Sequence, residues 1–392
     1  MITDIHVGEN RLALLKNGVE YFPRLLADID AAHNSIYLET YIYAADRVGR
    51  EISAALQRAA TRDVTVRVML DGFGSAELPQ HWVDELRVAG VEVQWYRRKI
   101  SPLTLRRARL RRMHRKLVAI DSEIAYIGGI NITDDIPPDG SLSAPRLDYA
   151  VRVEGRLAGE MHASMRHLWA VVSWANIRRR SRILNWRSAR LKKHKMDADV
   201  VYLQRDNMHH RRDIERAYLR AIANAQHEII IANAYFLPGR VFRRALVGAA
   251  QRGVHVVLLL QGKVEYRLQH YATHALYGRL LEGGVEIYEY RPSYLHAKVA
   301  VVDGRWATIG SSNIDPFSLW LAREANLAVH DEGFAAQLRA SLLEEIALGA
   351  QRIDSSIWGS QGIWTRLLSR ISYALVRLLV GLVGYGSGRD GV

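Results

Sequence analysis

Apolar and polar positions along the chain set out one pattern twice. From Asn34, the stretch NSIYLETYIYAADRVGREISAALQRAATRDVTVRVMLDG reads as strand, loop, amphipathic helix, strand. From His227, HEIIIANAYFLPGRVFRRALVGAAQRGVHVVLLLQG reads the same way. Ile229–Ile231 and Val254–Leu260 are short, apolar and partly β-branched, as strands buried on both faces are. Arg240–Arg252 between them places apolar residues at helical spacing. A helix is predicted ahead of each unit, over Tyr21–Ala32 and Asp213–Ala225. A helix and a strand are predicted after each, His81–Ala89 with Val91–Tyr96 and Tyr271–Leu281 with Val285–Tyr290. Strands alternating with helices imply βαβ crossovers, and so an α/β fold with a mostly parallel or mixed sheet in each copy.

Each copy then carries a motif. HRKLVAIDSEIAYIGGIN spans His114–Asn131, and HAKVAVVDGRWATIGSSN spans His296–Asn313. The separation of His114 from His296, 182 positions, recurs for Lys116 and Lys298, Asp121 and Asp303, Gly128 and Gly310, and Asn131 and Asn313. Related βαβ units share apolar periodicity by composition alone. They do not share His, Lys, Asp and Asn without a chemical reason.

On a strand, alternation puts the His and Lys of HxK on one face and the later Asp on the other. His114, Lys116 and Asp121 with His296, Lys298 and Asp303 form the candidate catalytic set. Within it, Asp121 and Asp303 are expected to serve in ion pairs or turns. After a turn, Asn131, Asn313 and Ser311 return as candidate phosphate-binding groups. One His, one Lys and one Asn from each half, meeting across a pseudo-twofold axis, suit a phosphodiester. Lys offers a point charge to non-bridging oxygens and Asn offers neutral donors. One neutral imidazole attacks phosphorus, and the other, protonated, gives its proton to the leaving alkoxide. An imidazolium beside two lysines needs a carboxylate to support it. The histidine-orienting candidates are Asp148 in RLDYAV, 34 residues beyond His114, and Glu324 in REANLAV, 28 beyond His296. The scheme calls for no cofactor and no metal, and no further ligand cluster of clear spacing stands out.

Composition narrows the partners. The 392 residues suggest two domains, and with 49% hydrophobic and 24% charged residues the chain is globular. Without cysteine there is no thiolate nucleophile and no disulfide. Fifty-four Lys plus Arg against 41 Asp plus Glu leave +13, which points to a polyanion, nucleic acid or an anionic membrane. Basic residues crowd Arg97–Arg112 and, with Trp169, Trp174 and Trp186, the stretch up to Lys195. The expected division is 1–168 and 200–350 for the two halves, 169–199 for a basic linker, and 351–392 for a tail. In that tail, Ile363–Gly386 sets Arg366, Arg370 and Arg377 against a Leu-rich remainder, the pattern of a helix lying in a membrane interface. No apolar run is long enough for a standard transmembrane helix, and the N-terminus lacks a signal-peptide pattern.

The paired motifs resemble those of the phospholipase D superfamily, over about Gly18–Ala347. LETYIYAADRVG, MLDGFGS, RRMHRKLVAID, IIANAYFLPG and ATIGSSNIDP are similar to bacterial cardiolipin synthases of the shorter form, without an N-terminal transmembrane pair. The resemblance implies a duplicated α/β/α sandwich of two pseudo-twofold-related halves. It implies phosphatidyl transfer between phospholipids, with phosphatidylglycerol as usual donor and acceptor, through a phosphohistidine. It implies His114 as nucleophile and His296 as general acid, then base. An anionic phospholipid membrane is the expected partner, contacted peripherally from the cytoplasmic face, and no nucleic acid is expected. The alternatives are a hydrolytic phospholipase D, a nuclease of the same superfamily, and a non-catalytic membrane-binding protein.

Overall fold

A computed structural model of the chain describes residues 3–98, 111–136, 144–178, 199–206, 209–354 and 363–384. The first half contributes strands β1 (Asp4–Val7), β2 (Asn10–Lys16), β3 (Ser35–Thr40), β4 (Thr65–Asp71), β5 (Glu92–Tyr96), β6 (Lys116–Ile120), β7 (Ile124–Gly128) and β8 (Tyr149–Gly155). They form one sheet in the order β1-β2-β8-β7-β6-β3-β4-β5. The second half contributes β9 (Val200–Arg205), β10 (Glu228–Asn233), β11 (His255–Gln261), β12 (Glu286–Tyr290), β13 (Lys298–Val302), β14 (Trp306–Gly310), β15 (Glu324–His330) and β16 (Ala350–Ile353). Their order is β16-β12-β11-β10-β13-β14-β15-β9.

The two sheets share one internal plan. β3-β4-β5 and β10-β11-β12 run parallel, because helices connect them. Short turns return β6 onto β7 and β13 onto β14, and turns of that length permit only antiparallel pairing. The parallel portion is therefore limited to three strands per sheet, and both sheets are mixed.

The chain stacks in layers. Helices Asn17–Asp30, Arg47–Thr61 and Gln80–Val88 cover the outer face of the first sheet, burying Leu25, Ile52, Leu56 and Val83. Helices Asp213–Asn224 and Arg240–Gln251 do the same for the second, through Ile214, Phe242 and Leu246. Between the sheets, Met113, Leu117 and Ile127 join Leu295, Val299, Ile309 and Leu327 in one core. Helices Arg156–Arg178 and Glu332–Gly349 add Met161, Met165, Phe334 and Leu338 to it. A continuous core of this kind locks the halves together.

Two boundaries differ from the sequence reading. Residues from Trp169 onward do not begin a linker: the helix runs on to Arg178, and Trp169 and Val172 sit in the central core. The basic residues after it, and Arg106, Arg107 and Arg109, lie outside the described residues. The helix expected over Tyr271–Leu281 is two helices, Arg267–His274 and Tyr277–Glu282.

Candidate active site

Each motif histidine stands just before a strand. β6 begins at Lys116 and β13 at Lys298, so His114 and His296 are held by something other than their own strand. That support comes from the opposite half. The His114 amide donates to Arg323 O at 2.9 Å, and Arg323 N donates to Arg112 O at 2.7 Å. The His296 amide donates to Leu147 O at 2.8 Å, and Leu147 N donates to Tyr294 O at 3.0 Å. The residue following each bridge is the carboxylate, Glu324 in one case and Asp148 in the other.

The carboxylates are consequently exchanged between halves. His114 Nδ1 lies 3.0 and 3.1 Å from the two oxygens of Glu324. His296 Nδ1 lies 2.5 Å from Asp148 Oδ2. The pairing expected from chain distance, Asp148 with His114 and Glu324 with His296, is thus corrected. Strand register explains why both acids serve. Gly128 faces Ala150 and Gly310 faces Asn326, so Asp148 and Glu324 occupy equivalent positions, two residues earlier.

The glycine-rich turns fit these acids differently. A Cβ at Gly129 would stand 2.2 Å from Asp148 Oδ1, so that position must be glycine. Its counterpart Ser311 fills the space and donates its hydroxyl to Glu324 Oε2 at 2.5 Å. Ser311 therefore supports the carboxylate, where a phosphate contact was expected. Asn131 Oδ1 accepts from the Ile42 amide at 3.2 Å, while the buried Asn313 Oδ1 has no hydrogen-bond partner among the described residues.

Asp121 and Asp303 are not brought to the histidines. They lie at the far ends of β6 and β13, in turns with φ of +54° and +52°. Asp121 accepts from the amides of His33, Asn34 and Ser35 at 2.7–2.8 Å. Asp303 accepts from Gln226, His227 and Glu228 at 2.8–2.9 Å. These bonds hold both carboxyls below the usual range despite partial burial. They pin the starts of β3 and β10 to the β6–β7 and β13–β14 turns.

The lysines face inward, with Lys298 fully buried. Lys116 Nζ donates to His114 O at 2.6 Å, and Lys298 Nζ donates to His296 O. Each ammonium has further donors for a ligand. Burial pushes the Lys116 ammonium down to about 7, with Glu324 opposing and Lys298 adding. Burial lowers Lys298 too, against Asp148 and Glu324. Burial lowers His114, against support from Glu324. Burial, then Lys298, Lys116, His114 and Arg146, push His296 well down. Burial raises the Asp148 carboxyl to about 6. Groups from both halves thus share one electrostatic environment. Among the described residues, the Nε2 atoms of both histidines have no hydrogen-bond partner.

A pH dependence follows. Above pH 7, Lys116 of the empty site is increasingly neutral, and a bound oxyanion restores its proton. Tungstate affinity measured by calorimetry is expected to fall up to about tenfold per pH unit above 7, with proton uptake. An affinity unchanged between pH 6.5 and 8.5 would contradict this.

Sequence reasoning missed Tyr41. Its ring meets His114 edge-on at 4.7 Å, and Lys116 Nζ stands 5.3 Å from its centre. The signal available was an aromatic directly after β3.

Comparison with known proteins gives the family. The family model described as cardiolipin synthase, PLD-like domain, matches residues 25–169 and 218–346, which include both motifs. The chain belongs to this family. Cardiolipin synthase B of Shigella flexneri is 39% identical over 380 residues, covering 96% of this chain and 90% of that protein. Cardiolipin synthase A of Buchnera aphidicola subsp. Baizongia pistaciae is 31% identical over 374 residues, 94% of this chain and 76% of that one. The crystal structure of phosphatidylserine synthase from Haemophilus influenzae Rd KW20 superposes with a TM-score of 0.69 at 13% identity, over 96% of this chain and 95% of that chain. That likeness confirms the PLD-like fold of the two halves. Within the family's fold, the duplication is what sets two histidines, two lysines and two acids around one centre.

Proposed function

We infer that this member of the cardiolipin synthase family is a phosphatidyltransferase that joins two phosphatidylglycerol molecules into cardiolipin and releases glycerol. The observation that carries the mechanism is the crossed support of the histidines, each Nδ1 tied to an acid and each Nε2 left unpartnered. His114 Nε2 attacks phosphorus, and the bond to the headgroup oxygen breaks. The charge of the bound phosphodiester restores a proton to His296, which gives it to that oxygen, and glycerol leaves. His296 then takes the proton from the hydroxyl of a second phosphatidylglycerol. That oxygen attacks the phosphohistidine and frees His114. Lys116 and Lys298 neutralise the non-bridging oxygens throughout. Glu324 and Asp148 fix the tautomers and stabilise each ring when it is charged.

Purified protein with phosphatidylglycerol vesicles is expected to yield cardiolipin and glycerol, read by mass spectrometry. Phosphatidic acid alone would indicate hydrolysis instead, and degradation of DNA without lipid turnover would indicate a nuclease.

Access to lipid runs through the helix Ile363–Gly384. Among the described residues, no helix is long and apolar enough to cross a membrane. This helix buries Ser369, Ser372 and Val376 against the protein and exposes Leu367, Leu368, Ile371, Leu375 and Leu378. Its small polar side faces inward, and its apolar side is open alongside exposed Arg370 and Arg377. Inserting each half-open apolar side chain gains about 1 kcal/mol. Each arginine adds about 1 kcal/mol at an anionic surface. The reading is peripheral attachment to an anionic membrane from the cytoplasmic side. Glutamate at Leu368, Ile371 and Leu375 together is expected to reduce co-sedimentation with anionic vesicles at least about 100-fold, with unchanged thermal unfolding. Undiminished co-sedimentation would rule this helix out.

A further inference from the structure

The two flanks of the site differ. Ahead of His114 stand Arg111 and Arg112, and Arg112 meets Asp71 at 3.6 Å. Ahead of His296 stand Ser293, Tyr294 and Leu295, which carry no charge. Two cations serve that flank: Lys263, whose Nζ is occupied with Pro292 O at 3.1 Å, and Arg146, supplied by the other half. Its guanidinium carbon lies 5.9 Å from the centre of the Tyr294 ring. It directly precedes Leu147, whose carbonyl holds the His296 amide at 2.8 Å. Its backbone amide donates to Asp135 O at 3.3 Å. The Asp135 carboxyl, which also feels the Arg146 charge, is engaged with the Gly18 amide. Among the described residues, Arg146 Nε is buried without a hydrogen-bond partner and the guanidinium forms no ion pair. Tyr235 and Tyr266, whose rings stand 5.9 Å apart, feel the Glu265 carboxylate first and the Arg146 charge after it; Tyr235 donates its hydroxyl to Glu265 at 2.6 Å, which engages that acid. A half-buried guanidinium with unused donors is poised for a fork-like bond to an oxyanion.

The reaction itself needs a second oxyanion site. The donor phosphorus occupies the centre, between the two histidines and the two lysines. The acceptor brings its hydroxyl to His296, and its own phosphodiester lies one glycerol length further out. That charge falls on the His296 flank.

We propose that Arg146, backed by Tyr294, is the subsite for the phosphate of the acceptor phospholipid and selects an anionic lipid over a neutral alcohol. The proposal rests on the two-lipid transfer inferred above. It assigns Arg146 to acceptor binding; the effect of its charge on His296 is common to both acceptors, so the assignment is read from the ratio of the two products.

The test compares two acceptors with one donor. Phosphatidylglycerol vesicles are incubated with the full-length protein, with and without ethanol, and cardiolipin and phosphatidylethanol are quantified. For Arg146→Gln, cardiolipin formation is expected to fall about 10- to 100-fold, the loss of a charge-assisted pair. Phosphatidylethanol formation should stay within about threefold of the parent. Arg146→Lys should recover part of the cardiolipin rate, since a point charge replaces the fork. Equal loss of both products, or loss of neither, would overturn the assignment. A parent protein that forms phosphatidylethanol but no cardiolipin would instead overturn the two-lipid reading beneath it.

Discussion

Alanine in place of His114 or His296 is expected to lower cardiolipin formation on the order of 10⁴-fold or more. Each ring does work that no neighbour can replace: one makes the bond to phosphorus and the other moves the proton. The fold should tolerate both changes, because the two side chains sit at an open centre with 17% and 20% of their surface exposed. Thermal unfolding of each variant checks that point. The double variant should be no worse than either single one, since both groups serve one reaction path. Substantial turnover by either single variant would end the two-histidine mechanism. Intact mass spectrometry after a brief reaction distinguishes the roles. The His296→Ala variant should retain a slowly formed phosphatidyl adduct, and His114→Ala should form none.

The second large effect separates crossed from uncrossed support. Asp148→Asn and Glu324→Gln keep the shape of each acid and remove its charge. Each is expected to reduce turnover by about 10³- to 10⁴-fold, as loss of a histidine-orienting acid does elsewhere. Their consequences should differ in kind. Asp148 holds His296, so Asp148→Asn should slow release of the covalent intermediate, and the adduct should accumulate. Glu324 holds His114, so Glu324→Gln should slow formation of the adduct, and little should appear. The reverse pattern would assign the acids to the histidines of their own halves, or exchange the histidine roles.

The duplication was legible because His, Lys, Asp and Asn recur at a constant spacing. The strands and most helices were legible from apolar periodicity. Exchange of the acids was not legible, because chain distance links Glu324 to His296 and Asp148 to His114. The exchange is made by backbone hydrogen bonds at Arg323 and Leu147, and main-chain bonding of that kind leaves no side-chain pattern. Arg115 was hidden for another reason. Inside HRK it reads as one more basic residue, yet it is buried and pairs with Glu39 at 2.8 Å. The matching positions in the second half, Ala297 and Ala232, occupy the same register with no charge at all. A motif shared by two halves thus conceals a side chain that only one of them needs.

The exchanged acids carry a consequence for origin. A single ancestral copy would have possessed an imidazole without its supporting acid, and would have become active only by meeting a second copy face to face. Fusing two copies replaces that encounter, which weakens on dilution, with a fixed local concentration. Once joined, the copies were free to drift apart: glycine beside aspartate in one, serine beside glutamate in the other.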